Sequence, residues 1–174
     1  MRFWEVDFTR GLAVILMVLF NWSFTLRFFN VFTISNSSLY WYVFPRLIAL
    51  SFIFIAGLSL TLNKKANHLK RGLKIFSLGL LITLVTWLSF PTYYIRFGIL
   101  HLIGLSIILA IPFLKFKNLN FYLGTIFVLF GVILQDTTFD FSWLLWLGFV
   151  PANFATFDYF PLLPWFGFIL LGIY

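Results

Sequence analysis

Cysteine is absent from the 174 residues of this chain, which excludes disulfides, thiolate nucleophiles and zinc sites built on Cys. Histidine is nearly absent, and two residues are too few for a metal cage, so no metal is expected. Charge is scarce as well, at 10% of residues where soluble domains carry about 25%. Acids are the scarcest class, five against twelve Lys and Arg. Apolar residues fill the space: 62% of the chain is hydrophobic, 23% is aromatic, and the mean hydropathy is +1.02. This composition reads as an integral membrane protein. A net charge of +7 raises the question of nucleic acid, but the cations flank apolar runs and no soluble module presents them. No nucleic-acid partner is expected; the partner that composition does imply is the lipid bilayer.

The organising stretch is Arg2–Asn21, RFWEVDFTRGLAVILMVLFN, in which Arg2, Glu5, Asp7 and Arg10 precede a run long enough to cross a bilayer. The length of that run and the acids before it speak against a cleaved signal peptide. A second span is expected over about 41–62, with Pro45 in its first turn, after a loop whose Tyr40, Trp41 and Tyr42 suit a membrane interface. The basic segment NKKANHLKRGLK follows, with His68 read as solvated, and then a third span that stops at Pro91. A fourth runs from about Arg96 to Leu114 and a fifth from Leu119 to about Leu134. Residues 141–164 are apolar but broken by Pro151, Asn153, Asp158, Pro161 and Pro164, which suggests a re-entrant or interfacial stretch packed on protein, or an aromatic loop. The last apolar run, WFGFILLGIY, is half the length a span needs, so the single domain over 1–174 is expected to be cut within its last helix.

The expectation is therefore an all-α polytopic helical bundle of about six spans. With the N-terminus cytoplasmic, nine of the twelve cations lie inside, and only Arg27, Arg46 and Arg96 lie outside. That distribution satisfies the positive-inside rule.

Chemistry needs polar groups that lipid would otherwise exclude. Asp7 and Arg10, at i and i+3, share a helical face. A cation at a helix N-terminus opposes the dipole, so Arg10 either pairs with Asp7 and holds the cytoplasmic end or binds an anionic ligand. His101 is the only His inside an expected span. It is either a buried hydrogen-bonded residue or a base or nucleophile. Asp158 shares the outer side with Arg46 and Arg96, a set suited to a polar or anionic substrate. Asn21, near the end of the first span, suits an interhelical hydrogen bond or a polar channel. Asn36-Ser37-Ser38 has the form of a glycosylation acceptor.

Five segments in order, RFWEVDFTRGLAVILMVLFN, FPRLIALSFIFIAGLSLTL, LKRGLKIFSLGLLITLVTW, IRFGILHLIGLS and DYFPLLPWFGFILLGI, resemble the heparan-α-glucosaminide N-acetyltransferase catalytic-domain family, including its compact prokaryotic members. The resemblance implies an acyltransferase that moves acetyl, or another acyl group, from acyl-CoA on the cytoplasmic side to a sugar or lipid-linked glycan on the other. No permanently bound cofactor is implied. It places the protein in a prokaryotic plasma membrane, with a second copy of the chain as a candidate partner. Asp7, Arg10 and Asn21 match positions of the opening motif. The outer-loop His of the family has no counterpart, since no His lies between Asn21 and Pro45. On this reading His101 and Asp158 are the catalytic candidates, and Arg46 and Arg96 face the acceptor. Arg10, Lys70 and Arg71 hold the CoA phosphates, with Asp7 and Asn21 beside the donor and Asn21, Ser51 and Thr83 along the path of its thioester arm. The alternative from another class is a non-enzymatic membrane subunit or a small-solute transporter.

Overall fold

A computed structural model describes residues 4–31, 39–62 and 67–174. Six α-helices follow in order: α1 (Trp4–Phe28), α2 (Leu39–Leu62), α3 (His68–Ser89), α4 (Ile99–Ala110), α5 (Lys117–Gln135) and α6 (Leu162–Ile173). A 3-10 turn over Pro112–Lys115 joins α4 to α5, and two-residue strands β1 (Thr138–Phe139) and β2 (Val150–Pro151) pair in parallel before α6. Helices α1, α2, α3 and α5 are long and apolar enough to cross a membrane; α4 and α6 have twelve residues each.

Several boundaries differ from expectation for local reasons. Tyr40, Trp41 and Tyr42 are helical, so Pro45 sits in the second turn of α2 instead of the first. Its missing N–H leaves the Trp41 carbonyl without its helical donor. Helix α3 begins at His68 because the Asn67 side chain accepts from the Lys70 N–H at 3.0 Å, an N-cap that draws Lys70, Arg71 and Lys74 into its first turns. His68 is buried, not solvated, and among the described residues neither ring nitrogen has a hydrogen-bond partner. Helix α4 stops at Ala110, since Pro112 cannot extend its ladder. Asn36-Ser37-Ser38, Lys64, Lys65 and Arg2 lie outside the described residues.

The chain divides into two compact units, Met1–Ile55 and Ala56–Tyr174. In the first, the Phe20 ring of α1 meets Tyr40, Trp41 and Phe44 of α2 at 5.8–6.2 Å between centroids. Only Ala13 of α1 is buried, while Leu12, Ile15, Val18 and Trp22 are exposed. Exposed apolar surface of this extent belongs in lipid, because packing and not hydrophobic exclusion joins membrane helices. The hydroxyls obey the same constraint. Thr9, Ser23 and Thr25 of α1 and Ser51 of α2 donate to carbonyls one turn back at 2.6–2.9 Å, and Asn21 Nδ2 does the same to Met17 at 2.9 Å.

The second unit is built on close backbone approach. A Cβ on Gly104 of α4 would lie 2.7 Å from Phe76 Cα of α3, and one on Gly72 of α3 would lie 2.9 Å from the Gly104 carbonyl. Helices α5 and α6 meet in the same way at Gly124 and Gly167. The core comes from Leu102, Ile107 and Ala110 of α4 and Ile169, Leu170 and Ile173 of α6. Almost every residue of α6 is buried, as expected of a helix apolar on all sides. Gly104→Ala should lower stability by about 1–3 kcal/mol through overpacking. Gly11→Ala, where a Cβ meets nothing within 4 Å, should be neutral or slightly stabilising. Thermal unfolding of the two variants in detergent measures the contrast.

Candidate functional site

Residues 93–101 and 154–160 run beside each other, and the backbone holds them together. Phe157 N–H donates to the Tyr93 carbonyl at 3.0 Å and Phe160 N–H to the Phe97 carbonyl at 2.9 Å, with a parallel bridge between Phe97 and Tyr159. The Thr156 hydroxyl donates to the Tyr94 carbonyl at 2.8 Å. Helix α3 fixes the first of these segments through two threonines one turn apart. The Thr83 hydroxyl donates to the Ile95 carbonyl at 2.7 Å, and Thr86 Oγ1 accepts the Ile95 N–H at 3.1 Å.

This frame brings Asp158 to the start of α4. Asp158 Oδ2 accepts the Ile99 N–H at 3.0 Å, one of the orphan amides at a helix N-terminus. Gly98 makes the approach possible, since a Cβ there would collide with Oδ2. Among the described residues Oδ1 of Asp158 has no hydrogen-bond partner. Burial raises the Asp158 carboxyl to about 6 despite the stabilising Ile99 N–H. Burial likewise raises the neighbouring Tyr159 phenol, whose hydroxyl donates to the Leu145 carbonyl at 2.6 Å.

His101 stands in the first turn of α4 and is buried. Its Nδ1 accepts the Gly98 N–H at 3.3 Å, which leaves the ring hydrogen on Nε2, 3.2 Å from Thr83 Oγ1. Thr83 accepts there and passes its own hydrogen to Ile95, so the chain of donors is complete. The ring lies between Phe76 and Phe97, with centroids at 5.6 and 5.5 Å, and Gly79 leaves room for it. Nδ1 therefore closes the first turn of α4 on its own N-cap, and Nε2 ties α4 to α3.

The other sequence candidates fall elsewhere. Arg96 is exposed, with its guanidinium 5.0 Å from the Tyr94 ring and 5.4 Å from the Phe154 ring. Lys70 and Arg71 occupy the first turn of α3, where cations oppose the helix dipole. Thirteen residues of α3 separate Lys70 from Thr83, about 20 Å at 1.5 Å per residue, so the cationic end and the Asp158 junction lie far apart on one helix. Asp7, Arg10, Asn21 and Arg46 belong to the Met1–Ile55 unit. There Arg10 pairs with Asp7 at 3.4 Å on the face that their spacing defines, and Arg46 donates to the Tyr42 carbonyl at 2.7 Å while lying over the Tyr42 ring. Sequence reasoning missed Gly98, Thr83 as a partner of His101, Thr86 and Thr156. The available signals were the Gly three residues before His101 and the i, i+3 spacing of Thr83 and Thr86.

Four helices long and apolar enough to cross a membrane, with polar groups closed by internal hydrogen bonds, define an integral membrane protein. The chain belongs to the family described as heparan-alpha-glucosaminide N-acetyltransferase, catalytic, whose model matches residues 2–174, and membership points to acetyltransferase activity. No curated protein and no solved structure matches.

The raised Asp158 carboxyl makes stability depend on pH. A carboxyl that is harder to ionise when folded adds stability below its ordinary value of 3.8, and that contribution is lost as the pH rises through about 6. Thermal unfolding between pH 4 and pH 8 should show this fall in the wild type and a flatter profile in Asp158→Asn.

Proposed function

We propose that this protein is a membrane acetyltransferase that takes acetyl from acetyl-CoA at the cationic end of α3 and transfers it to an amine or hydroxyl of a sugar or lipid-linked glycan at the Asp158 junction. The observation that carries this reading is the separation along one spanning helix, with Lys70 and Arg71 in its first turn and the Asp158–His101 junction packed near its other end. The cations suit the phosphates of the donor, and the length of α3 suits a donor on one side of the membrane and an acceptor on the other. The positive-inside distribution supports a cytoplasmic cationic end and a prokaryotic plasma membrane as the location.

Asp158 is the base in this proposal. Oδ2 is held by Ile99 N–H while Oδ1 is open to accept a proton from the acceptor. The acceptor nitrogen or oxygen then attacks the thioester carbonyl, the C–S bond breaks, and the proton removed by Asp158 balances the thiolate that leaves. A carboxyl near 6 is ionised at neutral pH and close enough to it to exchange protons. His101 acts as a positioning residue, because both of its nitrogens hold the first turn of α4. Arg96 serves the acceptor.

Two measurements test the proposal. Lys70→Ala/Arg71→Ala should weaken acetyl-CoA binding, read by thermal shift in detergent, by about tenfold or more, the loss of one charge-assisted hydrogen bond. Transfer of acetyl from labelled acetyl-CoA to glucosamine should rise with pH through about 6 and fall by about 100-fold or more in Asp158→Asn. Donor binding indifferent to both cations, or full transfer by Asp158→Asn, overturns the respective role.

A further inference from the structure

Arg96 is distinguished from the other aromatic-bound arginines by having both a two-ring clamp and an open guanidinium. Arg46 gives a hydrogen to the Tyr42 carbonyl at 2.7 Å, and Arg27 lies over a single ring, Trp41, at 4.7 Å. Arg96 is held by two rings, Tyr94 at 5.0 Å and Phe154 at 5.4 Å, which come from different segments. Among the described residues it makes no hydrogen bond and no ion pair, although Asp158 stands in the facing segment. Its planar fork of donors is thus positioned and unspent. The frame beneath is fixed by the bonds from Thr156 to Tyr94, Phe157 to Tyr93 and Phe160 to Phe97, so little ordering remains for a ligand to impose.

The depth of this group indicates what it meets. The 22 residues of α3 span about 33 Å, close to the hydrocarbon thickness, and carry Lys70 and Arg71 in the first turn. Its far end gives way to Phe90, Pro91, Tyr93 and Tyr94, with Tyr93 and Trp87 exposed, the residue types of an interfacial belt. Arg96 follows that belt directly in the chain, and lipid phosphates lie just outside such a belt. A guanidinium presents parallel N–H donors that match two oxygens of one phosphate.

We infer that Arg96, clamped by Tyr94 and Phe154, forms a phosphate-binding site at the membrane surface that holds the acetyl acceptor through a phosphate, borne by a lipid anchor or by the sugar itself. That the bound molecule is the acceptor rests on the acetyltransferase reading; the phosphate site does not.

The full chain in a maltoside detergent, free of phosphate headgroups, is titrated with farnesyl phosphate and glucosamine 6-phosphate, with farnesol, glucosamine and glucuronate as comparators. At least one phosphate should bind about tenfold or more tightly than its phosphate-free partner and than glucuronate. A preference confined to farnesyl phosphate assigns the lipid source, and one confined to glucosamine 6-phosphate assigns the sugar. Arg96→Gln should abolish the preference, and Phe154→Leu, which keeps the charge and removes one face of the clamp, should reduce it about threefold. Equal binding of phosphates and their comparators, or a preference that survives Arg96→Gln, overturns the site. Acetyl transfer to glucosamine and its 6-phosphate, measured on the same samples, separates the two readings. Phosphate preference without transfer rejects the acetyltransferase and keeps the site; equal transfer to both sugars without preference does the reverse.

Discussion

The bond from Ile99 N–H to the Asp158 carboxylate is the constraint on which the polar half of this molecule depends. It supplies a partner to the first amide of α4, closes a segment of more than twenty residues without α-helix onto the bundle, and fixes a carboxylate with one oxygen still open. None of this happens with a side chain at position 98, since the carboxylate occupies the place of its Cβ. Gly98 therefore serves contact, with its φ of −95° well within what any residue adopts.

Polar groups elsewhere follow one rule, which is that lipid offers them no partner. Most hydroxyls of α1, α2 and α3 turn back to their own helices; Thr83 instead donates to Ile95, and Thr86 does both, donating to the Ile82 carbonyl while accepting the Ile95 N–H. His101 obeys the rule by donating to Thr83 and accepting from Gly98. A histidine bonded in this way gives α4 its register on α3. Close contact does the remaining work. The glycine pairs 72–104 and 124–167 let α3 meet α4 and α5 meet α6 at backbone distance, where dispersion between helices is strongest.

Much of this was legible in the sequence. Apolar runs marked all six helices, the spacing of Asp7 and Arg10 defined their pair, and the prolines of 141–164 marked a stretch that carries no helix until Leu162. The ends of elements were less legible, because they depend on single caps. Asn67 starts α3 in the basic segment, and Pro112 ends α4 before the apolar run stops. His68 is buried in a segment whose charge suggested solvent, and side-chain burial follows from neighbours that a linear pattern does not name.

The sequence by itself determined the environment, the number of helices and the family, because hydropathy and segment order are properties of the chain taken one stretch at a time. Only the tertiary structure decided that His101 is tied at both nitrogens, that Asp158, 57 positions further on, caps the turn in which His101 stands, and that Arg96 lies between two rings. Each of these needs a contact between segments distant in sequence, Thr83 with His101, Asp158 with Ile99 and Phe154 with Arg96. Hydrogen bonds and ring contacts act over a few ångströms of space, and the folded backbone alone sets which residues come that close.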